Sequence, residues 1–151
     1  MKRFISAVAG IGLGAAFLCS ANAKTLDMTS VNTWSGTWKC VAGNTAYTET
    51  FTPIYSGKAM RVTVTGAYAS DGTAVYDPAR KAWIYAFVNG DGSYATMNGP
   101  VSGSRITFKQ IFPAGDSVEA IRGMSPMKYV STFTMTSHGK KIGATEVCTK
   151  S

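Results

Sequence analysis

A two-residue alternation of apolar and polar side chains recurs along most of the chain and constrains its fold more than any other feature. In residues 60–65, methionine and valine alternate with arginine and threonine, and residues 47–51, 105–109 and 129–135 repeat this rhythm. Such a period is typical of strands that bury one face. The amphipathic period of an ordinary helix is absent, and at most residues 26–31 and 53–58 could each form one turn. The pattern predicts an all-β protein.

Short polar segments separate the predicted strands. They are Ser-Asp-Gly at 70–72, Asp-Pro-Ala-Arg at 77–80, Asn-Gly-Asp-Gly at 89–92 and Ser-His-Gly-Lys at 137–140. Glycine, asparagine, aspartate and proline are the residues that tight hairpin turns require. We therefore expect eight to ten short strands in an antiparallel up-and-down meander. Residues 81–88 are apolar on both faces, which predicts the most deeply buried strand.

The first 23 residues have the pattern of a secretory signal peptide. A basic start precedes an apolar run and an Ala-Asn-Ala site, so cleavage after Ala23 would leave residues 24–151 as a single domain. An alternative is a lipoprotein retained through Cys19. No other segment reaches the length of a membrane span, and we expect a soluble protein in the periplasm or outside the cell.

Two cysteines, Cys40 and Cys148, remain near opposite ends of the domain after this cleavage. In an exported chain a disulfide is the default expectation. Bridged Cα atoms must lie within about 7 Å, so the first and last strands would be neighbours. A meander whose ends meet is a closed barrel, and closure also removes the exposed sheet edges.

The segment WSGTWKC at 34–40 places Trp34, Gly36, Trp38 and Cys40 on one face of a predicted strand. We expect this face to point inward. The two indoles would then fill the closed end of the barrel, and the glycine would permit a close approach.

The motif Gly36-Thr37-Trp38 resembles the G-x-W signature of lipocalins and the wider calycin barrels, including many uncharacterised bacterial secreted proteins. This resemblance implies a lipocalin-like barrel with Trp38 at its closed end. Lipocalins place an arginine over this tryptophan, whereas no arginine follows Arg122 here. The sequence also lacks the two-helix lid and the C-terminal R-x-Y motif of fatty-acid-binding proteins. The resemblance therefore implies a fold but no class of ligand.

Charge and composition exclude several functions. Loss of the leader, with Lys2 and Arg3, would lower the net charge from +7 to +5, and the basic residues are scattered. Nucleic-acid binding would require a basic stripe. His138 is the only histidine, which excludes multi-histidine metal sites and leaves a single axial haem ligand as an alternative to a plain turn residue. We expect no metal and no cofactor, and the sequence does not indicate an oligomeric state.

Two glutamates fall on predicted inward faces: Glu49, and Glu146 in phase with Cys148. A buried carboxylate must find a partner or stay protonated. The candidate partners are Arg122, which is in phase with Val118 and Ala120, and three tyrosines. The alternatives are a structural ion pair or a polar anchor for a ligand.

We expect a non-catalytic barrel that binds a small, mainly apolar molecule. The candidate ligand-binding residues are Tyr47, Glu49, Phe51, Met60, Val62, Trp83, Tyr85, Phe108, Arg122, Phe133, Met135 and Glu146, with Tyr129 as a further partner for the glutamates. One alternative is a cyclase or isomerase that uses Glu49 or Glu146 as acid or base, with Arg122 steering charge. The other is a filled structural or interaction barrel with no ligand.

Overall fold

The computed structural model describes residues 26–137 and 139–151. The predicted leader, Cys19 and His138 lie outside the described residues. Ten antiparallel strands form a closed barrel in which each strand pairs with its neighbours in sequence, and the first pairs with the last. This arrangement confirms the predicted all-β meander and its closure.

The elements follow one another with short connections. A helical turn, α1 (Val31–Trp34), precedes β1 (Gly36–Ala42) and β2 (Thr45–Ile54), and a 3-10 turn (Tyr55–Gly57) leads into the third strand. The remaining strands are β3 (Ala59–Gly66), β4 (Ser70–Asp77), β5 (Ala82–Asn89), β6 (Tyr94–Ser102), β7 (Arg105–Phe112), β8 (Val118–Ser125), β9 (Lys128–Ser137) and β10 (Lys140–Lys150).

The predicted disulfide joins the strands that close the barrel. Cys40 of β1 lies directly opposite Cys148 of β10, with their Cα atoms 4.1 Å apart. Both cysteines are buried. The crosslink therefore fastens the pairing that has the greatest sequence separation in the sheet.

Hairpin connections form at two of the predicted turns, residues 77–80 and 89–92. In the β4–β5 connection, Asp77 accepts hydrogen bonds from the backbone amides of Ala79 and Arg80. The prediction of a turn at residues 70–72 was wrong, because these residues begin β4. Gly72 instead permits close packing: a Cβ there would lie 2.7 Å from the Cβ of Phe87 on the neighbouring strand.

The N-terminal segment closes one end of the barrel. The indole nitrogens of Trp34 and Trp83 both donate to the backbone oxygen of Met28, and that of Trp38 donates to the backbone oxygen of Trp34. Trp34 is buried as expected, but the prediction that it lies in the first strand was wrong. It ends α1, whose cap is Ser30, and the chain bends at Ser35 before β1.

The prediction that residues 81–88 form the most deeply buried strand was also wrong. On β5 only Ala82 and Trp83 are fully buried, whereas Val88 is 54% exposed and Ala86 is exposed. The outer face of a closed barrel contacts solvent here, so apolar residues on that face do not show that the strand is internal.

Lys150, the last residue of β10, lies over the Trp38 ring, with its ammonium nitrogen 5.2 Å from the ring centroid. A Cβ at Gly36 would lie 2.8 Å from the Cε atom of Lys150. The glycine of the G-x-W motif therefore leaves space for the lysine stem, and Lys150 provides a cation over Trp38 although no arginine follows Arg122 in the sequence.

Candidate functional site

The interior contains two adjoining cavities. The inner cavity, of about 60 Å³, lies above the α1 end and is lined mainly by Phe51, Met60, Val62, Trp83, Ile106 and Phe108. The outer cavity, of about 590 Å³, lies between the β3–β4, β5–β6 and β7–β8 connections at the opposite end, which we call the mouth. Glu49, Tyr85 and Glu119 line both cavities and mark their junction.

The candidate residues from the sequence fall mostly on these walls. Phe51, Met60, Val62, Trp83 and Phe108 line the inner cavity; Tyr47, Phe133 and Met135 line the outer cavity; Glu49 and Tyr85 line both. Arg122 and Glu146 line neither cavity. The alternation of apolar residues was therefore sufficient to place most side chains on the correct face of the sheet.

Arg122 is exposed on the outer face, so its predicted inward position was wrong. The strand register gives the reason. Glu119 lies opposite Phe108 on β7 and Phe133 on β9, which makes its side of β8 the inner side. Arg122 lies opposite Val130 and has the other orientation. Glu119 is thus an acidic residue of both cavities that was not among the candidates predicted from the sequence.

Glu49 accepts a hydrogen bond from the hydroxyl of Tyr129 at the cavity junction. Burial raises the pKa of Glu49 to about 7, the Tyr129 hydrogen bond opposes this rise, and the charge of Glu119 adds to it. Burial also raises the pKa of Glu119. Near neutral pH, Glu49 can therefore either hold or release a proton.

Glu146 lies behind the outer cavity wall and is only 6% exposed. It accepts hydrogen bonds from the hydroxyl of Tyr47 and from Oγ of Ser131, the latter at 2.9 Å. Burial raises its pKa to about 7. Carboxylate oxygens of Glu49 and Glu146 lie within 4.8 Å of each other, so ionisation of one disfavours ionisation of the other.

The interior acids have no basic partner in the described part of the chain. The salt bridges found there, Arg61–Asp71 and Arg80–Asp77, both lie at the surface. Every lysine and arginine described is exposed except Lys150, which lies on Trp38 at the closed end. The proposed ion pair between an inward glutamate and Arg122 is therefore not formed.

Cys40, Glu49, Glu146 and Cys148 place potential metal-ligating atoms within 4.8 Å of one another. The two sulfur atoms are joined as a disulfide and offer no thiolate. Within the described residues, this group therefore reduces to a carboxylate pair and its tyrosine partners.

No protein-family model matches the sequence, and no curated protein matches it either. The likeness to lipocalins consequently depends on Gly36-Thr37-Trp38 and on the barrel itself. None of the helices in residues 26–137 and 139–151 has the length and apolar character needed to cross a membrane.

Proposed function

We propose that this protein is an exported, lipocalin-like barrel that binds a small, mainly apolar molecule without transforming it. The observation that carries the proposal is the outer cavity of about 590 Å³, which opens at the mouth and continues to the junction at Glu49. Small-molecule sites are typically concave, about 300–1,000 Å³ in volume and mostly apolar with a few convergent polar groups. The alternative of a completely filled barrel is disfavoured by this space.

The closed end supports the lipocalin-like assignment. Trp38 is fully buried there, and Lys150 packs on its ring in the place where the resemblance implies an arginine. A cation over an indole face is electrostatically favourable, and lysine can supply it as arginine does.

Export is supported by the buried disulfide between Cys40 and Cys148, since such bonds persist in oxidising compartments. The basic start and apolar run of residues 1–23 are typical of the signal peptide that export requires.

The test is a titration of residues 24–151 with N-phenyl-1-naphthylamine, an uncharged probe whose fluorescence rises in apolar surroundings. A matched pair of variants locates the binding. Ala95 lines the outer cavity, whereas Ala86 is exposed on the outer face of the adjacent strand. We expect Ala95→Phe to weaken probe binding by about tenfold or more, because the ring occupies the cavity, and Ala86→Phe to leave it unchanged. Absence of saturable binding, or equal effects of the two substitutions, would refute the proposal.

A second candidate is an enzyme of the cyclase or isomerase kind, favoured by one observation. Glu49, with a pKa raised to about 7, lies at the cavity junction against the Tyr129 hydroxyl. An acid–base catalyst works best when its pKa is near the operating pH. Carboxyl titration by NMR that gave ordinary values for Glu49 and Glu146 would eliminate this candidate. Turnover of a bound compound that is lost in Glu49→Gln, with probe binding retained, would favour it over simple binding.

A further inference from the structure

The interior of the barrel differs in charge from the rest of the molecule. The formal net charge is +7, yet all three glutamates of the sequence, Glu49, Glu119 and Glu146, lie inside the barrel. Two of them line the cavities. No lysine or arginine lines either cavity in the described part of the chain. The cavity is therefore an acidic site in a basic protein.

Aromatic rings surround the path from the mouth to these carboxylates. Tyr85 stacks on Phe87 with ring centroids 4.9 Å apart, and Tyr47 meets Tyr68 edge to face at 5.1 Å. Tyr94 lines the same outer cavity. Aromatic faces attract cations as well as apolar groups, so these rings suit a ligand that has both.

We propose that the cavity binds an amphiphilic amine, whose ammonium group lies between Glu49 and Glu119 and whose apolar body fills the outer cavity. This inference rests on the proposed binding function. A buried carboxylate without a cationic partner is costly, and an organic ammonium supplies both the missing charge and N–H donors. The sizes agree: the inner cavity of about 60 Å³ is large enough for a head group or a few waters, while the outer cavity accommodates the body.

The proposal also predicts how binding varies with pH. Tyr129, Tyr85 and Glu146 face Glu49 from β9, β5 and β10, and Asp116 lines the outer cavity from the β7–β8 connection. Burial raises the pKa of both Tyr85 and Tyr129 above the ordinary range, so they stay uncharged near neutrality. An ammonium ion favours ionised Glu49, whose pKa in the free protein is raised to about 7. Affinity for the amine should therefore increase as the pH rises through 7, with release of protons on binding.

The experiment compares three ligands with the same chain: decylammonium, decanol and decanoate, each displacing N-phenyl-1-naphthylamine from residues 24–151. At pH 8 we expect decylammonium to bind about ten- to a hundredfold more tightly than decanol, and decanoate to bind most weakly. Between pH 5.5 and 8 the affinity for decylammonium should rise about tenfold, while that for decanol stays constant.

Two variants test whether the preference for decylammonium over decanol arises in the cavity. Glu119→Gln should reduce the preference for decylammonium over decanol, measured as the ratio of the two affinities, by about tenfold. Asp27→Asn removes the same charge from an exposed position in the N-terminal segment, at the end opposite the mouth, and should change neither affinity. If Glu119→Gln fails to fold, the pH profile of the unsubstituted protein still decides the question.

The outcomes separate the two proposals. If the neutral probe does not bind, the proposed function fails and this inference fails with it. If the probe binds but decanol equals or exceeds decylammonium at pH 8, or none of the decyl compounds displaces it, the binding function stands and the inference is overturned. A decylammonium affinity independent of pH would also overturn it.

Discussion

The buried carboxyl of Glu146 should make the folded barrel more stable in mildly acidic than in mildly alkaline solution. Glu146 is 6% exposed, and burial raises its pKa from the ordinary 4.5 to about 7. Between these two values the folded state binds more protons than the unfolded chain, so the free energy of unfolding falls as the pH rises. The contribution of protonated Glu146 to the free energy of unfolding is therefore fully present below pH 4.5 and is lost as the pH rises through about 7.

The size of the effect follows from the two pKa values. At about 1.4 kcal/mol per pH unit, the interval from 4.5 to about 7 corresponds to roughly 3 kcal/mol for Glu146. The pKa of Glu49 is also raised. Because the carboxylate oxygens of Glu49 and Glu146 lie within 4.8 Å of each other, the proton equilibria of the two groups are coupled. The aspartates act oppositely: hydrogen bonds lower their pKa values, so their contribution is lost as the pH falls below their ordinary 3.8. They are Asp27, Asp71, Asp77, Asp91 and Asp116. Stability should therefore be greatest at about pH 4–5.

Guanidinium chloride denaturation of residues 24–151 at pH 5 and pH 8 measures this difference, with the fluorescence of the buried tryptophans as the signal. Glu146→Gln keeps polar atoms beside Tyr47 and Ser131 but cannot ionise, and should remove about 2–3 kcal/mol of the difference between pH 5 and pH 8. Asp91→Asn, in an exposed turn, should leave the difference between the two pH values unchanged. A wild-type protein at least as stable at pH 8 as at pH 5, or an unaltered pH dependence in Glu146→Gln, would contradict the reasoning.

Three further predictions concern the processing of the chain and the framework of the barrel. Mass spectrometry of exported material should find Lys24 at the N-terminus and no free thiol. Replacing Cys40 and Cys148 together by serine should lower the free energy of unfolding by about 4–5 kcal/mol, because the crosslink spans 108 residues; a loss below about 1 kcal/mol would count against this estimate. Gly99→Ala should cost about 1–3 kcal/mol in the same denaturation assay, since a Cβ at Gly99 would lie 2.5 Å from ring carbons of Phe108; an unchanged midpoint would contradict it.

The fold was largely predictable because its two main determinants are visible in sequence. The two-residue period identifies strands, and the separation of Cys40 from Cys148 implies that the first and last strands meet. The helical turn at Trp34 was missed because four residues carry no detectable period, and the indole contact with Met28 is tertiary. Likewise, position 72 requires a glycine because the chain packs closely against Phe87 there. In the sequence alone, such a glycine cannot be distinguished from one that forms a hairpin turn.

The site was less predictable, chiefly at β8. Val118, Ala120 and Arg122 share one side of this strand, and Glu119 and Ile121 the other, so neither side is clearly polar. Pairing with β7 and β9 decides which side is internal, and pairing is not visible in a single strand. Lys150 was overlooked for a similar reason: its contact with Trp38 joins the first strand to the last.

The position of Ser151 has a practical consequence. The backbone amide of Ser151 donates a hydrogen bond to the backbone oxygen of Thr37, beside the closed end of the barrel and away from the mouth. A biotin or sensor-chip linker attached at Ser151 would therefore hold the protein with its entrance directed toward the flowing solution. Immobilisation through this residue should preserve access for incoming compounds, whereas coupling through the lysines Lys140 and Lys141, near the entrance, would obstruct it.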